Sequence, residues 1–336
     1  MSLESTAPRP AGARPVTVAI LSDIHYASDA ERARGPDYEF QGIRNPLLRR
    51  AAKAYRHWIW LRNPLGQNGQ LDRFLERAAG ADWVVANGDY SCDSAFVGVG
   101  DDAACQSAKE CLGKLRARFG DRFHANLGDH ELGKLSLFTA RGGMRLDSWR
   151  RATRELGIAP FWRMDVGNQV LIGVASSVVA LPVFEPDLLP AEKAEWNRLR
   201  AEHLDEIRAV FAGLTPEQRV LLFCHDPTAL PFLWREDAVR RKLPQIGNTI
   251  VGHLHTRLIF WKSRLFAGMP VIRFLGHSAL RMSTALNEAR CWRPFRVRLC
   301  PALAGIELLN DGGYLTAELD PEARRPVRIQ FHPLPR

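Results

Sequence analysis

Aspartate and histidine side chains recur in five short clusters along the chain. The clusters are Asp23 with His25, Asp89, Asp129 with His130, His225, and His253 with His255. Each cluster directly follows a short apolar run that is typical of a buried strand. Because ligands bind at the carboxyl edge of open α/β sheets, we expect these side chains to meet there. One histidine after a strand would indicate little, whereas five clusters in series indicate a metal site.

The types of donor predict which ions they bind. Mixed carboxylate and imidazole ligation suits Mn, Fe, Zn or Ni better than Ca or Mg. One carboxylate can bridge two ions about 3.5–4 Å apart, and such a pair clamps the attacking and leaving oxygens of a phosphoryl group. Gly88, Gly128 and Gly252 each precede a candidate ligand and allow the tight turns that present it. The sequence therefore predicts a two-metal site for phosphate esters.

The elements that position these clusters alternate between short apolar runs and amphipathic stretches, which predicts an α/β fold. Strands are predicted at 16–21, 83–86, 123–126, 170–175, 220–223, 249–251 and 271–275, and helices at 71–79, 103–119 and 191–211. Further strands are predicted at 303–309, 314–319 and 327–331, with Asp311, Gly312 and Gly313 as a hairpin turn between the first two. We expect this C-terminal region to add an antiparallel ribbon to a sheet.

Two long connections, at about 27–70 and 132–162, are predicted to be cap insertions. Within the first, residues 47–61 mix arginine and lysine with leucine, tyrosine and tryptophan, which predicts a basic, aromatic helix. The favoured interpretation is a cap helix that packs its aromatic face onto the core. The other interpretation is a peripheral surface that contacts lipid or an extended substrate.

Composition sets the class of protein and of partner. Among the 336 residues, 46 Lys and Arg face 37 Asp and Glu, so the net charge is +9, and 46% of the residues are hydrophobic. These values are typical of an ordinary globular protein, and the positive charge attracts anions such as phosphate esters, nucleic acid or acidic lipid. Only the sign of the net charge supports a phosphate-bearing substrate.

The cysteine pattern and the N-terminus bear on the cellular compartment. The six cysteines include no Cys-x-x-Cys pair, so we expect reduced thiols and a cytoplasmic location. Residues 1–15 are polar and rich in Pro and Ala, which predicts a disordered leader without a signal peptide. Because no run is apolar for the roughly 20 residues that a spanning helix needs, no transmembrane segment is predicted.

The motifs, taken in order, resemble those of the calcineurin-like metallophosphoesterases. Members of that family carry Asp-x-His, Gly-Asp, Gly-Asn-His-Glu/Asp, a lone His and Gly-His-x-His, and the corresponding motifs here run from Asp23 to His255. The resemblance implies a four-layer αββα sandwich over residues 16–336 with a di-metal site at one edge. It also implies a hydroxide that bridges the ions and attacks phosphorus in line.

The resemblance further implies a role for each residue of the motifs. The first metal would be bound by Asp23, His25 and His255, the bridge would be Asp89, and the second metal would be bound by Asp129, His225 and His253. His130 would protonate or stabilise the leaving oxygen.

Two positions depart from the family pattern. The family has Asn where this chain has Asp129. If Asp129 binds the ion, it adds a negative charge that could favour a trivalent ion; the alternative is a second site that is weak or repurposed. Many members also place an Asp three residues after the bridge to orient the catalytic histidine. Here that residue is Cys92, and Asp93 is the predicted substitute.

Two other functions compete with a phosphomonoesterase or phosphodiesterase. A nuclease acting on DNA or RNA fits the basic charge, but the sequence shows no interleaved stacking platform for single strands. A non-catalytic scaffold with the same fold is disfavoured because His130 and the histidine ligands are retained.

Overall fold

Two five-stranded sheets form the centre of the fold, which a computed structural model describes for residues 14–136, 141–274 and 277–335. Most of the predicted leader, residues 1–15, lies outside these ranges. The described strands are β1 (Val16–Leu21), β2 (Trp83–Ala86), β3 (Phe123–Ala125), β4 (Phe161–Val166), β5 (Gln169–Val174), β6 (Arg219–Cys224), β7 (Ile246–Val251), β8 (Val297–Leu299), β9 (Gly313–Leu319) and β10 (Arg328–Pro333).

In both sheets, strands that precede the predicted motifs lie next to one another. The order is β10-β9-β1-β2-β3 in the first sheet and β4-β5-β6-β7-β8 in the second. β1, β2 and β3 are parallel, as are β5, β6, β7 and β8. The C-terminal β9 and β10 pair antiparallel with each other and β9 pairs with β1, which confirms the predicted ribbon.

Helices fill most connections between the strands. They are α1 (Asp29–Arg34), α2 (Pro46–Tyr55), α3 (Asn68–Arg77), α4 (Asp102–Phe119), α5 (Asp129–Leu132), α6 (Leu146–Arg150), α7 (Ser176–Val179), α8 (Leu181–Phe184), α9 (Lys193–Ala212), α10 (Leu230–Arg235), α11 (Asp237–Lys242), α12 (Arg257–Leu265) and α13 (His277–Glu288). Five-residue π-helical turns, Arg56–Trp60 and Arg151–Glu155, extend α2 and α6. Within the described ranges, none of the helices combines the length and apolar character that crossing a bilayer requires.

Alternation along the strands explains the layers. In β1, Val18 and Ile20 face the second sheet and lie in one apolar cluster with Leu221 and Phe223 of β6. Because successive strand residues point to opposite faces, the residues between them face outward. The outward-facing Leu21 belongs to the cluster that contains the buried side chains of the covering helices. Two sheets packed face to face with helices outside confirm the predicted αββα fold.

Two predicted strands are wrong. Residues 271–274 form no strand; instead, the N–H of Ile272 donates a hydrogen bond to Ser283 Oγ of α13. Residues 303–309 form turns rather than a hairpin arm, because the N–H of Leu303 donates to the Asp23 carbonyl and the Asp311 carboxylate accepts from Ile306. The hairpin in this region is the one between β9 and β10.

Residues 47–61 are helical, as predicted, but their aromatic face is not packed as the favoured interpretation required. Ala52 packs with Phe40 and Ile43 in a small apolar cluster. Trp58 is 51% exposed, whereas Trp60 places its ring 4.8 Å from that of His255. The helix therefore reaches the cluster of histidines at one end and exposes apolar side chains along the rest.

Candidate metal centre

All seven predicted metal-ligating residues meet at the carboxyl ends of the parallel strands. Their donor atoms form three overlapping groups, in each of which the atoms lie within 4.8 Å of one another. The groups are Asp23, His25, Asp89 and His255; Asp129, His225 and His253; and Asp89, Asp129 and His130. Asp89 belongs to two groups, so it stands between the sets of residues that the sequence predicts for the two ions.

The backbone at these residues is held in a conformation that non-glycine residues rarely adopt. Five of the seven have φ between 48° and 61°: Asp23, His25, Asp89, His253 and His255. Left-handed backbone costs energy in L-residues and clusters at functional sites, where the surrounding structure imposes it. The strain turns each side chain back toward the common point at the strand ends.

The glycines that were predicted to allow tight turns also allow the close approach of neighbouring loops. A Cβ at Gly128 would lie 2.2 Å from Oδ1 of Asp89, and one at Gly252 would lie 2.5 Å from Oδ2 of Asp23. Atoms cannot approach so closely, so no larger residue fits at either position. The glycines let two pairs of ligand-bearing loops pack against each other without a gap.

Three imidazoles are oriented by backbone carbonyls. Nδ1 of His25, His225 and His255 lies 3.2, 2.6 and 2.9 Å from the carbonyls of Ser91, Asn87 and Trp60. Each Nδ1 must therefore carry the proton and donate it, which leaves Nε2 free to bind a metal. This is the tautomer of a metal-binding histidine.

Unshared electron pairs converge where an ion would lie. Nε2 of His25 and Nε2 of His255 are 3.4 Å apart, and the tautomers leave a lone pair on both. Oδ2 of Asp89 is fully buried without a hydrogen-bond partner, although it lies 3.2 Å from Nε2 of His225 and 4.0 Å from Nε2 of His25. Buried acceptors that face one another need a cation between them. The residues thus fit two bound metal ions.

Asp129, the departure from the family, points into this centre. Its Oδ1 lies 2.8 Å from Nδ1 of His253 and 3.1 Å from Nε2 of His225. Burial opposes protonation of His253, but the Asp129 carboxylate raises the pKa of His253 to about 9. In the same way Asp89 and Asp129 overcome the effect of burial and raise the pKa of His225. The carboxylates therefore draw positive charge to the place of the second ion.

Glu131, which the sequence analysis assigned no role, holds the ligand loops together. It is fully buried, and its carboxylate accepts from the N–H groups of Gly128, Asp89 and Tyr90 at 2.8–3.0 Å. Burial and the neighbouring Asp89 raise the pKa of Glu131 to about 8, against the effect of these donors. Its position in the motif after His130 was visible in the sequence, but its target, three backbone N–H groups, leaves no sequence signal.

His130 lies beside the centre with two partners that the sequence analysis did not identify. Its Nδ1 lies 3.0 Å from the Cys92 carbonyl, and its Nε2 is contacted by Nζ of Lys134. The predicted orienting residue, Asp93, instead accepts from the N–H of Gly98 at 2.9 Å. The described hydrogen bonds include none between Asp93 and His130, so a backbone carbonyl replaces the carboxylate that the sequence suggested. The role of Asp93 as an orienting residue therefore stays a prediction.

Residues 16–283 match the profile of a family described as calcineurin-like phosphoesterases. Similar solved structures include a dimetal phosphatase from Danio rerio, with 14% identity over 94% of this chain and 95% of that chain and a TM-score of 0.49. A phosphopantetheinyl hydrolase from Mycobacterium tuberculosis has 16% identity over 72% of this chain and 83% of that chain, with a TM-score of 0.33. No curated protein matches the sequence.

Proposed function

The chain belongs to the calcineurin-like phosphoesterase family, and from this premise we propose that it hydrolyses a phosphomonoester or phosphodiester with two metal ions. One ion would be held by Asp23, His25 and His255, the other by Asp129, His225 and His253, and Asp89 would be shared. Mn, Fe, Zn or Ni suits these donors. Two such ions supply Lewis acidity to the phosphoryl oxygens and generate the attacking nucleophile from water.

The observation that carries this proposal is the buried Oδ2 of Asp89. It stands between the two groups of donors and lacks a hydrogen-bond partner. A buried carboxylate oxygen without a partner is costly, and the cost is removed when the oxygen binds a cation. A purely structural role for Asp89 would have left this oxygen paired with a donor instead.

His130 and Lys134 would act together on the leaving oxygen. Because Nδ1 of His130 donates to the Cys92 carbonyl, its Nε2 accepts from the Lys134 ammonium. Burial lowers the pKa of His130 to about 4, so the ring is neutral at pH 7, in agreement with this hydrogen-bond pattern. The ammonium of Lys134 is then the group with protons to offer, and we assign it the stabilisation of the leaving oxygen with His130 as its positioning partner.

Metal analysis of the purified protein, combined with a panel of phosphomonoesters and phosphodiesters, tests the proposal. We expect two ions per chain and phosphate ester hydrolysis that stops when a chelator removes them. The variant Asp89→Asn should lose bound metal and fall to the background rate, because the amide cannot bridge two cations.

The control variant is Asp205→Asn, which removes a carboxylate that is 72% exposed and paired with Arg208. It should keep both ions and the full rate. Hydrolysis that continues at the same rate in the metal-free protein would reject the proposal, and so would an Asp89→Asn variant with unchanged metal content and rate.

A further inference from the structure

The positive charge of the chain is concentrated in two segments that contain no acidic residue. Residues 40–71 carry six cations, and residues 257–287 carry five. They are Arg44, Arg49, Arg50, Lys53, Arg56 and Arg62 in the first segment, and Arg257, Lys262, Arg264, Arg273 and Arg281 in the second. Together they exceed the net charge of +9, so the rest of the chain is close to neutral. Such concentration is not needed for solubility alone.

The same two segments expose large apolar side chains. In the first segment Leu47 of α2 is 72% exposed and Trp58 of the following turn is 51% exposed. In the second, Trp261 and Leu265 of α12 are 62% and 61% exposed. Isolated exposed apolar residues are ordinary, but a group of them among cations marks an interaction surface.

Helix α12 is amphipathic in the sense that an interfacial helix requires. Phe260 stacks on Trp292 with the ring planes 6° apart, which fixes its inner face to the body of the protein. Trp261 and Leu265, one turn apart, share the outer face. Lys262 and Arg264 lie between them in the sequence and are both exposed. Tryptophan beside lysine and arginine is typical of helices that lie in a membrane interface.

Both segments border the metal centre and are joined by one loop. The Trp58 carbonyl accepts from the N–H of Leu308, which is itself exposed. Farther along this loop Asp311 accepts from Oγ1 of Thr256, the residue that caps α12. Thr256 follows His255, a candidate metal ligand. The exposed apolar residues therefore form a border that runs from α2 across the loop to α12, beside the centre.

We propose that this border, formed by α2 with Trp58, the loop at Leu308 and α12, docks on an anionic phospholipid surface, so that the metal centre faces phosphate esters carried by that surface. Cations on the two segments match the negative charge of the surface, and the apolar side chains enter the boundary between headgroups and acyl chains. The docking stands on the surface residues alone; the substrate class rests on the proposed function.

Charge alone would also attract nucleic acid, but the exposed side chains favour lipid. Phosphate backbones are bound by cations and polar groups, and they offer no apolar phase for Leu47 and Leu265. A bilayer interface accepts both kinds of side chain at once.

Vesicle sedimentation of the full chain tests the docking. The vesicles consist of phosphatidylcholine with or without phosphatidylglycerol, and an oligonucleotide serves as competitor. We expect binding to the anionic vesicles only. The double variant Trp261→Ser/Leu265→Ser should bind roughly tenfold more weakly, because both side chains lose their burial in the interface. Leu189→Ser, at an apolar residue that is 43% exposed outside the border, should bind like the wild type.

Sedimentation needs no hydrolysis, so the docking can be judged even if the chain proves inactive. Equal binding to neutral and anionic vesicles, or none to either, would overturn the proposal. An oligonucleotide that displaces the chain completely while the double variant binds normally would overturn it in favour of nucleic acid. Phosphate release from vesicles that contain phosphatidic acid tests the substrate class, and a wild-type rate no higher than that of the double variant would reject that part.

Discussion

The Lys134→Met variant tests how the chain handles the leaving oxygen. In the structure the Lys134 ammonium contacts Nε2 of His130, and the other ring nitrogen of His130 is committed to the Cys92 carbonyl. We therefore expect the lysine to be the proton donor to the leaving oxygen. Methionine keeps the length of the side chain and removes the charge, so the variant isolates the electrostatic contribution.

The expected loss follows from Coulomb's law. A unit charge about 4 Å from the charge that develops on the leaving oxygen contributes about 4 kcal/mol at an effective dielectric constant of about 20. Lys134 is half-buried, and solvent screening reduces this value to roughly 1.5–2 kcal/mol. That energy corresponds to a loss of about 10–30-fold in rate.

A series of leaving groups makes the measurement decisive. An alkyl phosphate expels an oxygen that carries nearly a full charge, whereas p-nitrophenyl phosphate expels a stabilised phenolate. The kcat/KM of the variant should fall about 10–30-fold with the alkyl ester and far less with the aryl ester. Lys134→Arg should retain most of the rate with both, because it retains the charge.

Two results would refute this reasoning. An equal loss with both esters would mean that Lys134 binds the phosphoryl group or supports the fold. Reduced metal content in the variant would place the effect on the ions. The control is Lys114→Met, which removes a surface lysine paired with Asp72 and should change neither rate nor metal content.

Three further predictions concern the centre and the fold. Asp129→Asn should weaken binding of the second ion about tenfold, the difference between a charged and a neutral acceptor, and should keep the rate at saturating metal; a metal titration with parallel rates checks both. Gly128→Ala should lose metal while its circular dichroism stays native, because the new Cβ would meet Oδ1 of Asp89. His203, buried at the N–H of Ala175, has its pKa lowered by burial to about 4, so the unfolded state binds more protons between about pH 6.5 and 4. Stability should be complete above about pH 6.5 and fall by about 3 kcal/mol as the pH drops to 4, and urea unfolding of His203→Gln should show a shallower decrease.

The sequence predicted the ends of the first two central strands because each is a short apolar run that ends at a polar segment. β1 and β2 have the predicted bounds, and the carboxyl ends of parallel strands necessarily place Asp23 and Asp89 near each other. The strand predicted at 303–309 is wrong because Leu303 and Ile306 are buried although they lie in a loop. Buried residues in a loop give the same apolar pattern as a strand. An apolar pattern indicates that residues are buried, but it does not indicate which groups their backbone N–H and C=O bind.

Contacts made by backbone groups could not be predicted at all. The Cys92 carbonyl orients His130, and the Trp60 carbonyl orients His255, yet any residue type has a carbonyl. Asp93, the predicted orienting acid, is only the carboxylate nearest in sequence. Lys134 follows His130 by four residues, but α5 ends at Leu132, so the spacing of side chains on a helix does not predict their contact.

Asp129 and Lys134 change the charge of the centre in opposite directions. Three carboxylates against two divalent ions leave a formal charge of +1, where asparagine at residue 129 would leave +2. Burial is the largest cause that lowers the pKa of His25 and of His130, and the ammonium of Lys134 adds to the lowering of both, so its field reaches the centre and offsets the missing charge. The two residues have different proposed roles, because the Asp129 carboxylate strengthens binding of the ion while the Lys134 ammonium stabilises the leaving oxygen. On this argument the double variant Asp129→Asn/Lys134→Met should recover part of the rate that Lys134→Met alone loses. If the fold-changes in rate of the two single variants simply multiply in the double variant, the residues act independently.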